Sequence, residues 1–247
     1  MFDGGPGDKV IDCLSRHLPF DDREIELVIL SHPQIDHYGG PIEVFRRYRV
    51  DTFLASSLDS GTESYRVLEK AVGGSGAKVV NPDIAMVLRL GKLYLDIVHP
   101  SEAFLRTNAV FIGNNVTRDA LGAYASNKDA NDFSIVAKLS LGDFSALLTG
   151  DISPESGQYL LSQNIIQPAE YIKIPHHGSR NGLTQAFLDA VEPKVAVISV
   201  GKDNQYGLPN QEVLEMLAQK GVKTYRTDEA GDTEIVSDGK RFWRSED

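Results

Sequence analysis

Three apolar runs in this chain end on histidine or aspartate, and that repetition constrains the fold more than any other feature. IELVIL (25–30) leads to His32, Asp36 and His37; the second arm of NDFSIVAKLSLGDFSALLTGD (131–151) ends at Asp151; AEYIKI (169–174) leads to His176 and His177. Short, mostly apolar runs bounded by Gly and Pro read as buried strands. In layered α/β folds, ligands bind just beyond the carboxyl ends of such strands. One histidine after a strand is commonly a hydrogen-bonded loop residue. Four of the chain's six histidines at strand ends, together with two aspartates, predict a shared cation, because divalent metals take neutral imidazole and carboxylate donors from several rigid elements.

The remaining pattern supports an α/β reading. Helices are expected from Gly39-Gly40-Pro41 to Tyr48, over Glu63–Val72, near Ser153-Pro154, and at Thr184–Val191 and Asn210–Gln219. Strands are expected at 50–56, 78–80, 84–90, 93–99, 195–200 and 222–227, with hairpins at Gly91-Lys92, Leu141-Gly142-Asp143 and Asp238-Gly239. Residues 101–130 are polar and weakly patterned and read as an inserted loop. Within it Asn115-Val116-Thr117 fits a glycosylation sequon, with nothing else pointing to a glycoprotein. No second composition regime interrupts residues 1–247, so a single mixed α/β domain is expected.

The net charge of −10 argues against a wide electrostatic footprint for nucleic acid, but leaves room for a cleft whose positive charge is a bound metal. No apolar run is long enough to cross a bilayer, and residues 1–20 lack the order of a signal peptide. Cytoplasmic location is the default expectation, export the alternative if a leader is missing. The single Cys13 makes no internal disulfide. Met1–Phe2 reads as a strand end running into the turn Asp3-Gly4-Gly5.

SHPQIDHYGG (31–40) resembles the HxHxDH motif of the metallo-β-lactamase fold, and in particular the HPDxDH variant of the ComEC-type soluble domain. FDGGP, the Asn131-x-x-Ser134…Thr149-Gly150-Asp151 segment, KIPHHGS and the segment 199–232 are similar to that family's further motifs, in the same order. The resemblance implies a four-layer αββα sandwich with mixed sheets, here without the strands that ordinarily precede the first motif. It implies that Asp36, His37 and His177 hold one divalent ion, Zn²⁺ or Mn²⁺, with Asp151 bridging to a second and His32 at the other position. His177 is favoured over His176 because related lactamases place their ligand in a Pro-Gly-His-Gly run.

The implied activity is metal-dependent hydrolysis of a phosphodiester, in single-stranded DNA or a nucleotide, with Asp36 or Asp151 orienting water. Asp3, Gln34, Asn131, His176, Ser179, Arg180 and Lys202 are expected to contact substrate or support the ligands. Asn131 has an alternative as a cap of the hairpin, and Ser179 as a cap of the turn after the histidines. Two departures stand out: Gln34 replaces the family's Asp or His, and Leu208 replaces a His usual in the ComEC group. They raise two alternatives, a catalytically weakened metal-binding or nucleotide-sensing domain, or a hydrolase of lactones, thioesters or β-lactams.

Overall fold

A computed structural model describes residues 1–82, 86–112 and 121–245. In chain order they form α1 (Lys9–His17), β1 (Glu24–Leu30), α2 (Ile35–Arg47), β2 (Arg49–Ala55), α3 (Glu63–Ser75) and β3 (Lys78–Val80). Next come β4 (Val87–Leu90), β5 (Leu93–His99), α4 (Glu102–Asn108), β6 (Val110–Phe111), β7 (Tyr124–Ala125), β8 (Val136–Leu141) and β9 (Phe144–Leu148). The last part holds α5 (Pro154–Ser162), β10 (Tyr171–Lys173), α6 (Gln185–Val191), β11 (Val195–Ile198), α7 (Gln211–Gln219), β12 (Lys223–Arg226), α8 (Thr227–Ala230), β13 (Ile235–Ser237) and β14 (Phe242–Arg244). The architecture is mixed α/β. No described helix is long and apolar enough to cross a membrane.

The chain divides into two compact units, one of Met1–Asp83 with Pro100–Ile135, the other of Ile84–His99 with Val136–Asp247. In the first, β1, β2 and β3 form a parallel sheet. Its core is built from Val28, Leu30, Phe53, Tyr38, Val44, Tyr65 and Leu68, so α2 and α3 bury their apolar faces together with the strands. In the second, seven strands run β12-β11-β10-β9-β8-β5-β4. β9 to β12 are parallel neighbours, while β4, β5, β8 and β9 pair antiparallel. Leu147, Ile172, Ile174, Ala196, Ile198, Phe187 and Leu217 make its core.

Two sequence expectations are corrected. Helix α2 begins at Ile35, not after Gly40, and carries Pro41 inside it. Proline lacks the N–H that would bond the carbonyl four residues back. Here that carbonyl, of His37, accepts from Gly4 N at 3.1 Å instead, so the helix continues. The second correction concerns 101–130. Ser101 caps α4 by accepting from Phe104 N at 2.9 Å, and Phe104 and Leu105 are buried, so this part is ordered structure. The sequon at 115–117, and residues 84 and 85 of the strand expected over 84–90, lie outside the described residues.

Candidate metal centre

In the first unit the site grows from the junction of β1 and α2. The motif glycines make that junction possible. A Cβ on Gly40 would lie 2.1 Å from the Gly4 carbonyl oxygen, and one on Gly39 would lie 2.7 Å from Gly7 N. Only backbone against backbone fits, so FDGGPG packs directly on the first turns of α2, tied by Gly40 N–H to Gly5 O at 2.8 Å. Gly39 and Gly40 thus admit the Asp3 loop.

Asp3 is held there at φ 52°, a left-handed conformation unusual outside glycine. Its Oδ1 accepts from Ser31 N at 2.8 Å, and its Oδ2 accepts from Ser31 Oγ at 2.8 Å. Oδ2 also lies 2.9 Å from His37 Nδ1. Burial pushes the Asp3 carboxyl up, but the charge and hydrogen bond of His37, the charge of His32 and the bond from Ser31 outweigh it, and the pKa ends below the ordinary value.

An ionised carboxylate only accepts, which fixes the protons around it. His37 Nδ1 must donate to Asp3. Ser31 spends its one hydroxyl proton on Asp3, so its oxygen accepts from His32 Nδ1, 2.9 Å away. With Nδ1 carrying a proton on each ring, Nε2 is the nitrogen through which either histidine, when neutral, would bind a metal. Their ring centroids are 4.1 Å apart and both residues are buried. Asp36, in the first turn of α2, places Oδ2 3.9 Å from His37 Nε2. That is too long for a hydrogen bond and short enough for one cation to touch both at about 2 Å.

Gln34 is the N-cap residue of α2 and makes no side-chain cap bond. Ile35 and Asp36 are already helical, so the strand alternation of β1 does not extend to Asp36. Asn131 reaches the end of β1 through the bond from Ile135 N to Ser31 O, 2.9 Å. Asp129 is the residue that caps this turn, accepting from Asn131 N at 3.0 Å. Asn131 Oδ1 is itself buried with no hydrogen-bond partner among the described residues. Leaving an amide oxygen without a partner costs about 1–3 kcal/mol.

In the second unit the donors sit just past the carboxyl ends of two neighbouring parallel strands, β9 and β10, where Leu148 pairs with Lys173. Asp151 is 1% exposed. Its Oδ1 accepts from Lys173 Nζ at 2.9 Å and from His176 N at 3.3 Å, and Lys173 also donates to Gly150 O at 2.7 Å. Its Oδ2 lies 3.1 Å from His177 Nε2. His177 Nδ1 lies 2.7 Å from the Ser199 carbonyl, which can only accept, so Nδ1 carries a proton. A neutral His177 then points a lone pair at a carboxylate oxygen. Two acceptors this close require a positive charge, either a proton on Nε2 or a cation held by both. The donor set therefore fits a divalent metal.

The peptide that carries these histidines is strained. His176 and His177 are both left-handed, at φ 51° and 53°. Each such residue costs on the order of 1–3 kcal/mol and is kept only where surroundings enforce it. Gly178 O accepts from Asn210 N at 2.9 Å, and a Cβ on Gly178 would meet Pro209 at 2.6 Å, so the segment around 209–210 clamps the turn. His176 Nδ1 is buried without a hydrogen-bond partner among the described residues. Ser179 Oγ accepts from Asn181 N at 3.1 Å and so caps the turn. Arg180 is exposed and lies 3.3 Å from Glu212; Lys202 is exposed in the loop after β11. Leu208 packs against the apolar core of this unit.

Lys173 is the residue that sequence reading missed. A lysine inside the apolar run YIKI, three residues before a His-His pair, was the available signal.

Sequence comparison places the chain near competence proteins. It is 25% identical over 210 residues to ComE operon protein 3 of Bacillus subtilis, covering 85% of this chain and 24% of that protein. It is 25% identical over 203 residues to Recombination protein 2 of Haemophilus influenzae (81% and 21%), and 32% identical over 108 residues to competence protein ComA of Neisseria gonorrhoeae (42% and 15%). The chain is thus similar to ComEC-type competence proteins, and its mixed α/β architecture is that of the metallo-β-lactamase fold. The chain spans a quarter or less of the length of these relatives. No family model matches it. Among solved structures it is similar to CmlA, a diiron β-hydroxylase from Streptomyces venezuelae, with TM-score 0.50, 15% identity, and coverage of 85% of this chain and 44% of that one. The metallo-β-lactamase fold protein YhfI of Bacillus subtilis aligns at TM-score 0.48 and 12% identity, over 91% and 82%. At such identities these are likenesses of fold alone.

Proposed function

We propose that this chain is a metal-dependent hydrolase of phosphodiester bonds using one or two divalent ions, Zn²⁺ or Mn²⁺, with His32, Asp36 and His37 as metal ligands in the first unit and Asp151 and His177 as metal ligands in the second. The observation that carries the reading is His177. Its Nδ1 is tied to a carbonyl and its Nε2 faces a buried carboxylate oxygen, an arrangement that a divalent cation held by both would satisfy. The relay from Asp3 through Ser31 prepares His32 and His37 in the same tautomer.

When bound, such an ion lowers the pKa of water to about 7 and neutralises charge on a phosphate. The chain's own groups supply the rest. Asp36, whose side chain is 45% exposed, is the carboxylate open to solvent and accepts the proton of the attacking water. Lys173 donates to Asp151 Oδ1 and holds the carboxylate in place, with Oδ2 turned to His177 Nε2. Asn131 Oδ1 and His176 Nδ1 are acceptors available to water or substrate hydroxyls, with Ser179, Arg180 and Lys202 as further candidates for the phosphate.

The test is hydrolysis of bis-p-nitrophenyl phosphate and of single-stranded DNA by protein loaded with Mn²⁺ or Zn²⁺. Asp36→Ala is expected to lose activity while keeping its fold. Failure of the metal-loaded protein to cleave either substrate overturns the reading.

A second reading rests on Gln34 and Leu208. An amide and a core-packed leucine stand where relatives offer ionisable groups, which suits a metal-binding or nucleotide-sensing domain with weakened turnover. Tight metal binding without hydrolysis of any ester would favour it, and a panel of lactone, thioester and β-lactam substrates addresses the remaining alternative on this fold.

A further inference from the structure

We propose that Thr227 is a positioning residue for His177, holding in place the Ser199 carbonyl on which that imidazole is anchored; this rests on the reading of His177 as a metal ligand. The anchor stands where a chain ordinarily loosens. β11 ends at Ile198, whose partner Arg226 is the last residue of β12, so the ladder between the two strands stops one position short of Ser199. Ser199 is exposed, yet its carbonyl accepts from His177 Nδ1 at 2.7 Å. Exposed residues just past a strand end fray unless another bond ties them down.

Thr227 supplies that bond. Its Oγ1 accepts from Val200 N at 2.8 Å and donates to Val200 O at 2.9 Å, with Ile198 O a longer second acceptor at 3.4 Å. The hydroxyl thus grips the residue after Ser199 at both of its main-chain groups and reaches the residue before it, continuing the ladder where the strands part. Threonine suits the task, because branching at Cβ restricts its side-chain rotamers.

The main chain of Thr227 is fixed as well. Arg226 Nε and Nη2 bond the two carboxylate oxygens of Asp228 at 3.1 and 2.6 Å, and Arg226 Nη1 lies 2.8 Å from Glu229. Gly231 N donates to Thr227 O at 3.1 Å. A two-bond fork between the residues on either side of Thr227 adds geometric specificity as well as energy, and leaves position 227 little freedom. Dependence then runs from this fork to the Thr227 hydroxyl, to the Ser199 carbonyl, to His177 Nδ1. It ends at the aim of His177 Nε2 toward Asp151 Oδ2, 3.1 Å away.

The experiment has two readouts. The first is NMR of metal-free protein with ¹⁵N-labelled histidine, in which the wild type should show the His177 Nδ1–H as a ring N–H sheltered from exchange with water. Thr227→Val keeps the shape, removes the hydroxyl and should lose that signal, while the Nδ1–H of His37, bonded to Asp3, persists. Thr227→Ser keeps the hydroxyl and should retain both signals. The second readout is Zn²⁺ affinity by chelator competition. Thr227→Val should bind about tenfold more weakly, the low end of the roughly 10–100-fold carried by partners that orient metal-binding histidines, because it acts one bond further out. Leu217→Ala, which opens a cavity in the core of the same unit, should destabilise the protein and leave the affinity of the folded form unchanged. Survival of the His177 ring N–H in Thr227→Val, its absence from the wild type, or an equal loss of Zn²⁺ affinity in Leu217→Ala overturns the proposal. Failure of the wild type to bind Zn²⁺ would sink the metal reading, and the ring N–H would still decide the part of Thr227.

Discussion

The two units fix the tautomers of their candidate metal-binding histidines by different means. In the first, the tautomers of His32 and His37 are set by side chains, an ionised Asp3 and the hydroxyl of Ser31. In the second, His177 is set by a main-chain carbonyl, and the price is local strain in two consecutive left-handed residues. A side-chain relay can be cut by one substitution. A carbonyl anchor survives any substitution at Ser199, so the most vulnerable part of the second unit is the counter-charge on Asp151.

Lys173→Met tests that point and should have the largest effect. It leaves a carboxylate that is 1% exposed without its cation, and breaking a buried pair in this way costs about 3–5 kcal/mol. Metal should restore much of the loss, and Lys173→Arg part of it, in denaturant titrations with and without Mn²⁺. Equal destabilisation in both conditions would assign Lys173 a purely structural part.

Gly40→Ala is expected to follow, at about 2–3 kcal/mol, because the new methyl meets the Gly4 carbonyl and the Asp3 loop must move away. A cost below about 0.5 kcal/mol, the range of ordinary surface changes, would show that the loop is not clamped.

Asp3→Asn cuts the relay while keeping shape. Partners that orient metal-binding histidines typically matter about 10–100-fold, and that loss of metal affinity should be read by chelator competition. The same variant has a pH signature. The folded pKa of Asp3 is depressed below 3.8, so its ionised form stabilises the protein above that value, and the contribution fades as pH falls through the lower folded pKa. Wild type should lose this increment on acidification, and Asp3→Asn should lack that part of the slope.

The smallest effect belongs to His176→Gly. Relief of one left-handed residue, less the extra freedom glycine has when unfolded, should stabilise the protein by about 0.5–1 kcal/mol. A destabilisation instead would mean that the His176 ring contributes packing beyond its strain.

Much of the site was legible because its chemistry is concentrated at strand ends. Apolar runs stopping at His32, Asp151 and His176 are local patterns, and Gly, Pro and charge punctuation marked most elements between them. The start of α2 was misread because a Gly-Gly-Pro run is a helix breaker by local propensity, and only the Gly4 N–H, 33 residues before His37, supplies the bond that lets the helix pass through it. Residues 102–108 were misread because a polar surface hides a short helix that buries Phe104 and Leu105.

By itself, then, the sequence determined which residue types stand at the ends of which strands, since alternation of apolar runs and turns is a local property of the chain. Tertiary structure alone decided how those side chains are protonated and aimed. Asp3 reaches Ser31 and His37, Lys173 reaches Asp151, and Ser199 reaches His177 across 22 to 34 positions of chain. Proton placement depends on contacts made in space, and no local pattern records them.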